Sequence, residues 1–351
     1  MKIKKLDIWR QEFTLTEPYT IAYETIDRCV NVFVSAQTAS GITGLACSAP
    51  DFAVTKETPE TVEKAFHNVI EPLLKDSDPF TYIALQEKLK KRLRQQPSAL
   101  ALADMLLYDL MAKQAGVPLY KYLGGYRHCI KTSVTIGIMP LHETVSKAWH
   151  LARQGFKALK IKGGQSVEDD IKRVRAVRRA LGPKIEIRFD ANQGYNSSEA
   201  IYFFNKTCKT KIELIEQPTS VLNENLLGRV TRNVRIPIMA DEAIKNLKDV
   251  FRLTKKDLTD MINIKLMKVG GITEALNINA VAKAAGVEVM IGCMDESSLA
   301  IAAGLHFALA RPNVHYADLD SFLDIKDDPY RDIITVKNGV LYPNRRPGLG
   351  A

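Results

Sequence analysis

Asp190, Glu216 and Asp241 each close a short, mainly apolar run: Ile185–Phe189, Ile212–Ile215 and Ile236–Ala240. They are spaced 26 and 25 residues apart (190 to 216, 216 to 241), the length of one strand, one helix and their loops. Each acid has its own setting: Asp190-Ala191-Asn192, Glu216-Gln217-Pro218 and Asp241-Glu242. No His or Cys lies beside them. Hard oxygen donors of this kind select Mg²⁺, with Mn²⁺ as the alternative, over Zn²⁺. One strand-end acid alone would be read as a helix cap or a surface ion pair. Three at the same rim argue for a metal centre.

Lysines extend the same rhythm on both sides. Lys160 and Lys162 flank Ile161, so strand alternation puts both ammonium groups on one face, which is inward if Ile161 packs outward. Two ammonium groups so close, beside a divalent ion, should lower each other's pKa and make a general base near neutral pH. Lys265 and Lys268 follow Met261–Ile264 on the far side of the ladder. Lys268 precedes Gly270-Gly271, where the backbone can come close to a ligand. Lys162 and Lys268 can therefore address opposite faces of one carbon.

These side chains require strands that end at a common rim. Eight β-like runs, separated by helical patterns, fill residues 133–317: Ser133–Ile136, Ala158–Ile161, Ile185–Phe189, Glu213–Ile215, Ile238–Ala240, Met261–Ile264, Glu288–Ile291 and Val314–Ala317. That count over that length fits an α/β architecture, a (β/α) barrel with right-handed crossovers. Before it, residues 1 to about 55 alternate like strands, at Leu6–Trp9, Val30–Ser35 and Gly44–Cys47. A long loop, which such a site could use, is expected around Thr16–Asp27. Helical spacing follows from Thr58 to Gly116, strongest over Ser98–Leu110. The chain therefore divides into an α+β capping domain (1–125), the barrel (126–320) and a C-terminal segment (321–351).

The chain has 351 residues, 46% hydrophobic and 25% charged, with a net charge of +9. This is ordinary globular composition with material for a large core. The densest basic run, Lys88–Arg94, keeps Leu89 and Leu93 on one helical face, so its charges read as a solvated helix surface. No nucleic-acid partner is expected. Neither a membrane-spanning stretch nor a signal peptide is legible, and Cys29, Cys47, Cys129, Cys208 and Cys293 contain no CxxC pair. A cytoplasmic protein with free thiols is the expectation, with homo-oligomerisation left open.

Taken together, Lys160-Ile161-Lys162, the Asp190/Glu216/Asp241 ladder and Ile264-Lys265-Leu266-Met267-Lys268-Val269-Gly270-Gly271 resemble the enolase superfamily, muconate-lactonizing subgroup. The resemblance runs along the whole chain, and a lysine base with a Mg²⁺-held ene-diolate is that superfamily's known mechanism. It implies a capping domain over the barrel and a tail that returns to it. Lys162 and Lys268 become base and acid, Lys160 a substrate contact, and Asp190, Glu216 and Asp241 the metal ligands. Tyr316-Ala317-Asp318-Leu319-Asp320 further resembles the acidic pair of dipeptide epimerases, which holds the α-ammonium group of a dipeptide; Thr135 is taken as a further substrate-binding position. In the alanyl-glutamate epimerases an arginine of the first long loop receives the glutamate side chain. Glu24 stands there in this chain, and Asp295 stands at a strand end where those enzymes look apolar. The expected substrate is thus an L-L dipeptide whose C-terminal residue is neutral, hydrophobic or polar, with a basic residue as second choice, and not primarily Ala-Glu. The rivals are N-acylamino acid racemase, o-succinylbenzoate synthase or cycloisomerase chemistry, and a Schiff-base aldolase using Lys265 or Lys162.

Overall fold

The computed structural model describes residues 1–351. Alternating residues at the start of the chain form an antiparallel meander of β1 (Ile3–Thr20), β2 (Thr25–Thr38) and β3 (Thr43–Ser48). The long loop expected around Thr16–Asp27 is not there. β1 continues to Thr20, and only residues 21–24 turn, closed by Ile21 N–H donating to Glu24 O at 2.9 Å. The register slips between Thr14 and Tyr19, and Leu15 bridges to Ile325 instead. Pro18 hid this strand from the sequence pattern, yet proline is tolerated at an edge or a register irregularity.

Helices follow, the longest of them Pro97–Gln114. Every residue from Ser98 to Ala112 is buried, as an alanine- and leucine-rich helix without a polar face must be. It lies between the meander and the barrel. Its two acids bind across those boundaries. Asp109 accepts the backbone N–H of Leu45 and of Leu349, each at 2.7 Å. Asp104 accepts Thr273 N–H at 3.1 Å. The C-terminal residues thus lie against the capping helix.

After the short β4 (Ile130–Lys131) come eight parallel strands: β5 (Ser133–Ile136), β6 (Ala158–Lys162), β7 (Glu186–Asp190), β8 (Leu214–Glu216), β9 (Ile238–Ala240), β10 (Met261–Lys265), β11 (Glu288–Gly292) and β12 (Val314–Asp318). They neighbour one another in chain order, and a parallel bridge from Thr132 to Ala317 brings the ends together. Eight α-helices fill the seven crossovers, two of them between β10 and β11; only short 3₁₀ turns follow β12. The chain passes instead into β13 (Ile334–Lys337) and β14 (Val340–Pro343), which form a small sheet with β4.

The barrel interior is packed, not open. Leu214, Met239, Met261 and Met290 make one layer. Arg188, 1% exposed, donates to Ser133 Oγ at 3.1 Å and Ala317 O at 3.0 Å and pairs with Glu213 at 2.8 Å. This plug closes the floor and leaves the C-terminal rim as the accessible end. No helix is long and apolar enough to cross a membrane. Leu89 and Leu93 are both buried, as the reading of the basic run required.

His306, buried in helix Ser298–Ala310, accepts Tyr120 N–H at 3.1 Å on Nδ1. Burial holds its pKa down at about 3. The unfolded chain takes up this proton near pH 6.5 and the native one does not, so stability falls as pH drops from about 6.5 toward 3, by up to about 1.4 kcal/mol per pH unit. Denaturant unfolding of wild type and His306→Gln at pH 7 and pH 5 should show the smaller loss in the variant.

Candidate active site

A cavity opens where the strand ends meet the tip of the β1–β2 hairpin. Lys160, Lys162, Lys265, Asn192, Thr135, Asp318 and Asp320 line its barrel side; Tyr19, Tyr23, Glu24, Asp51 and Asp295 line its other wall. Strand alternation acts as expected: Ile161 is fully buried in the core, and both flanking lysines face the cavity.

The three ladder acids lie behind these lysines on the adjacent strands β7, β8 and β9, all buried. Lys160 Nζ lies 3.0 Å from Asp190, 2.8 Å from Glu216 and 2.8 Å from Asp318. Lys162 donates to Asp190 at 2.8 Å and to Asn192 Oδ1 at 3.1 Å. Across the barrel, Lys265 lies 3.0 Å from Asp241, and Lys268 donates to the same carboxylate. Asn263 donates to Glu216 Oε1 at 2.8 Å. Asn192 takes a left-handed φ of 40°, which asparagine tolerates, and its amide also donates to Glu242 at 3.3 Å.

Lys160 and Lys268 shift in opposite directions, and Lys160 runs against the expectation that a neighbouring ammonium group would lower it. Burial alone would lower Lys160, but Asp190, Asp318 and Glu216 override it and hold the ammonium well above the ordinary range. Burial does lower Lys268, against the pull of Asp241. Among the acids, burial would raise Asp190, yet Lys160 and Lys162 bring it below the usual value. Carboxylates outnumber ammonium groups around Lys160, and that decides its direction.

As placed, no three acidic side chains are gathered closely enough to hold an ion; each is drawn to a lysine. The donor chemistry nevertheless fits Mg²⁺: three buried carboxylates on neighbouring strands, with no sulfur or imidazole among them. Glu216 Oε2 has no hydrogen-bond donor of good geometry, although Lys160 is near it. Such an orphaned buried oxygen is what a cation would satisfy.

The other candidates divide. Asp318 ends β12 and is held by Lys160 and by Ser133 Oγ at 2.6 Å. Asp320 lies beyond the strand, so the two acids do not share a strand face. It accepts Thr135 N–H at 2.6 Å, and burial, then Asp318, pushes its carboxyl up to about 7. Glu24 sits in the hairpin turn, and burial, then Asp51 and Asp295, raises it. Asp295 accepts Tyr19 OH at 2.8 Å and is pushed up to about 6, chiefly by burial. Sequence reasoning missed Tyr19 and Asp51, and treated Asn192 only as context for Asp190; the hydrogen-bonding amide two residues after a ligand was a usable signal.

Residues 4–124 match the mandelate racemase / muconate lactonizing enzyme N-terminal domain, and residues 143–351 match the enolase C-terminal domain-like family. The chain belongs to the enolase superfamily, and as an enzyme it is an isomerase. It is 40% identical to the L-Lys-D/L-Arg epimerase of Desulforapulum autotrophicum, over all of this chain and 99% of that one. It is 39% identical to the hydrophobic dipeptide epimerase of Enterococcus faecalis, over 94% of this chain and 93% of that one. A dipeptide epimerase from Methylococcus capsulatus, solved with Mg and the dipeptide L-Arg-D-Lys, superposes with a TM-score of 0.93 at 36% identity, over 100% of this chain and 99% of that one.

Asp241→Ala should abolish Mg²⁺ binding measured by titration calorimetry, and excess EDTA should stop wild-type α-proton exchange, with Mg²⁺ restoring it. Full activity in EDTA would remove the metal from the reading.

Proposed function

We propose that this protein is a Mg²⁺-dependent dipeptide epimerase that inverts the α-carbon of the C-terminal residue. One observation carries the reading. Lys162 ends β6 and lines the cavity, and Lys268 follows β10, four strands further round an eight-stranded barrel, buried against Asp241; their strands thus stand on opposite sides of the barrel mouth. A 1,1-proton transfer needs two such groups on opposite faces of one carbon.

The neutral amine of one lysine takes the α-proton, and the C–H electron pair passes into the carboxylate to give an ene-diolate. The ammonium of the other returns a proton to the opposite face. The roles exchange with substrate configuration. Lys160, kept charged by its carboxylate neighbours, places positive charge where the ene-diolate develops. A divalent ion held by Asp190, Glu216 and Asp241 would supply the remaining charge neutralisation. Asp320 is the better ammonium acceptor of the acidic pair, because Asp318 is already engaged by Lys160. An ammonium site supports a dipeptide over an N-acylated amino acid; the racemase, synthase and cycloisomerase rivals have no use for it.

On side-chain preference we favour a basic C-terminal residue over the neutral one that the sequence alone suggested. Asp51 adds a third acid to Glu24 and Asp295 in the cavity wall. Burial, then the neighbouring acids, raises Glu24 and Asp295 there, and a cationic side chain would relieve the like-charge repulsion. The Desulforapulum relative's name points the same way, the Enterococcus one toward a hydrophobic residue.

Two measurements follow. With L-L and L-D dipeptides in D₂O, Lys162→Ala and Lys268→Ala should each lose net epimerization while keeping α-deuterium exchange for one configuration; wild-type epimerization by Lys268→Ala would refute the assignment. In kcat/KM, Ala-Lys should exceed Ala-Tyr and Ala-Ala, with Ala-Glu lowest, and Asp51→Asn should lower Ala-Lys by about tenfold while leaving Ala-Ala nearly unchanged. A preference for Ala-Glu would overturn the acidic-wall reading.

A further inference from the structure

The helix Ile272–Ala284 begins at Gly271, which has no side chain to cap it. Its first N–H groups are met from the other domain. Asp104, fully buried in helix Pro97–Gln114, accepts Ile272 N–H, Thr273 N–H at 3.1 Å and Thr273 Oγ at 2.6 Å. Gln86 donates to the same carboxylate. Lys90 adds an ion pair to Glu274 in that first turn, at 2.6 Å. A buried helix end needs such partners, and here the capping domain provides them.

This contact lies next to the Lys268 turn in sequence and in space. Residues Leu266–Val269 form one helical turn between the end of β10 and Gly270. Gly270 and Gly271 then take left-handed φ values of 92° and 101°. A Cβ on Gly270 would lie 2.7 Å from Leu100, and one on Gly271 would lie 2.4 Å from Asp104. The Lys268 turn is therefore fixed at one end by β10 and at the other by the capping helix. Both amines are held by barrel groups, Lys162 by Asp190 and Asn192 and Lys268 by Asp241, but the backbone of Lys162 belongs to β6 itself and has no such dependence on the capping helix.

We infer that Asp104 is a positioning residue for Lys268: the capping domain sets the reach of one of the two amines and leaves the other to the barrel. The inference rests on the two-base reading above. It explains the two glycines by close approach of the capping helix, whereas the sequence had suggested close approach of a ligand. It also gives the capping helix a bearing on chemistry although it lines no part of the cavity.

The test is face-resolved exchange. Lys162→Ala and Lys268→Ala first establish which substrate configuration each amine serves, by α-deuteration of the two diastereomers in D₂O. Asp104→Asn should then slow the Lys268-served exchange by about tenfold and change the Lys162-served exchange by less than about twofold, because displacement of a proton-transfer group acts on its own face only. Thr273→Val, which removes a single donor, should show the same bias more weakly, and it stands in if Asp104→Asn folds poorly. A general loosening of the fold would slow both faces alike, and that result, or no change on either, overturns the inference. If the lysine variants fail to separate the faces, the two-base reading falls and this inference with it. If they separate the faces and neither Asp104→Asn nor Thr273→Val does, only the positioning role of Asp104 falls.

Discussion

Buried charge has to be matched, and the mouth of this barrel is organised by that requirement. Four lysines and four carboxylates interleave there: Lys160 among Asp190, Glu216 and Asp318, Lys162 on Asp190, Lys265 and Lys268 on Asp241. Adjacent strands about 4.8 Å apart are what allow one ammonium group to touch acids from three strands. Leaving one partner of a buried pair alone costs roughly 3–5 kcal/mol, and sharing limits that loss here, because Asp190 and Asp241 each keep a second lysine when one is removed. Chemistry and stability are thus linked at the same atoms. The groups that would neutralise a developing carboxylate dianion are the ones that keep each other charged.

The packed floor beneath makes this network directional. Arg188 and the layer of Met239, Met261 and Met290 exclude water from below, so the site exchanges with solvent only at the rim. There the hairpin tip is anchored at three places: Thr20 O accepts Ile138 N–H at 2.7 Å, Ile21 O accepts the Gln165 amide at 3.3 Å, and Tyr19 OH reaches Asp295 at 2.8 Å. The wall that would read a substrate's side chain is therefore fastened to loops that follow β5, β6 and β11. Polar groups in that wall can change without disturbing the lysine–carboxylate network below it, which is how one mechanism can serve different substrates.

The capping domain consequently meets the barrel in two distinct ways. Its hairpin closes the cavity from above. Its long helix lies against the barrel's flank, where Asp104 caps the helix that follows Lys268 and Asp109 ties β3 to the C-terminal residues. A carboxylate in an otherwise apolar helix is costly to bury unless it is satisfied, and both are satisfied by backbone donors from elsewhere in the chain.

What the sequence determined by itself was the periodic part. A β/α repeat writes the strand ends at regular intervals, so Asp190, Glu216 and Asp241 could be recognised as neighbours although each is some 25 residues from the next. Strand alternation placed Lys160 and Lys162 on one face for the same reason, and the eight runs found in the sequence are the eight barrel strands. Only the tertiary structure decided the rest. Asp51 joins Glu24 and Asp295 because a turn after β3, the hairpin tip and a loop after β11 happen to pack together. The hairpin itself was read as a loop because Pro18 and its polar neighbours carry no alternation. Lys160 was expected to lose proton affinity from Lys162 and gains it instead, because Asp190, then Asp318 from the opposite edge of the sheet, then Glu216 surround it. The Asp104 cap joins residues 168 and 169 positions apart. Local periods record which face a residue occupies within its own element. Which elements face one another across a cavity depends on packing between residues distant in sequence, and no local pattern records that.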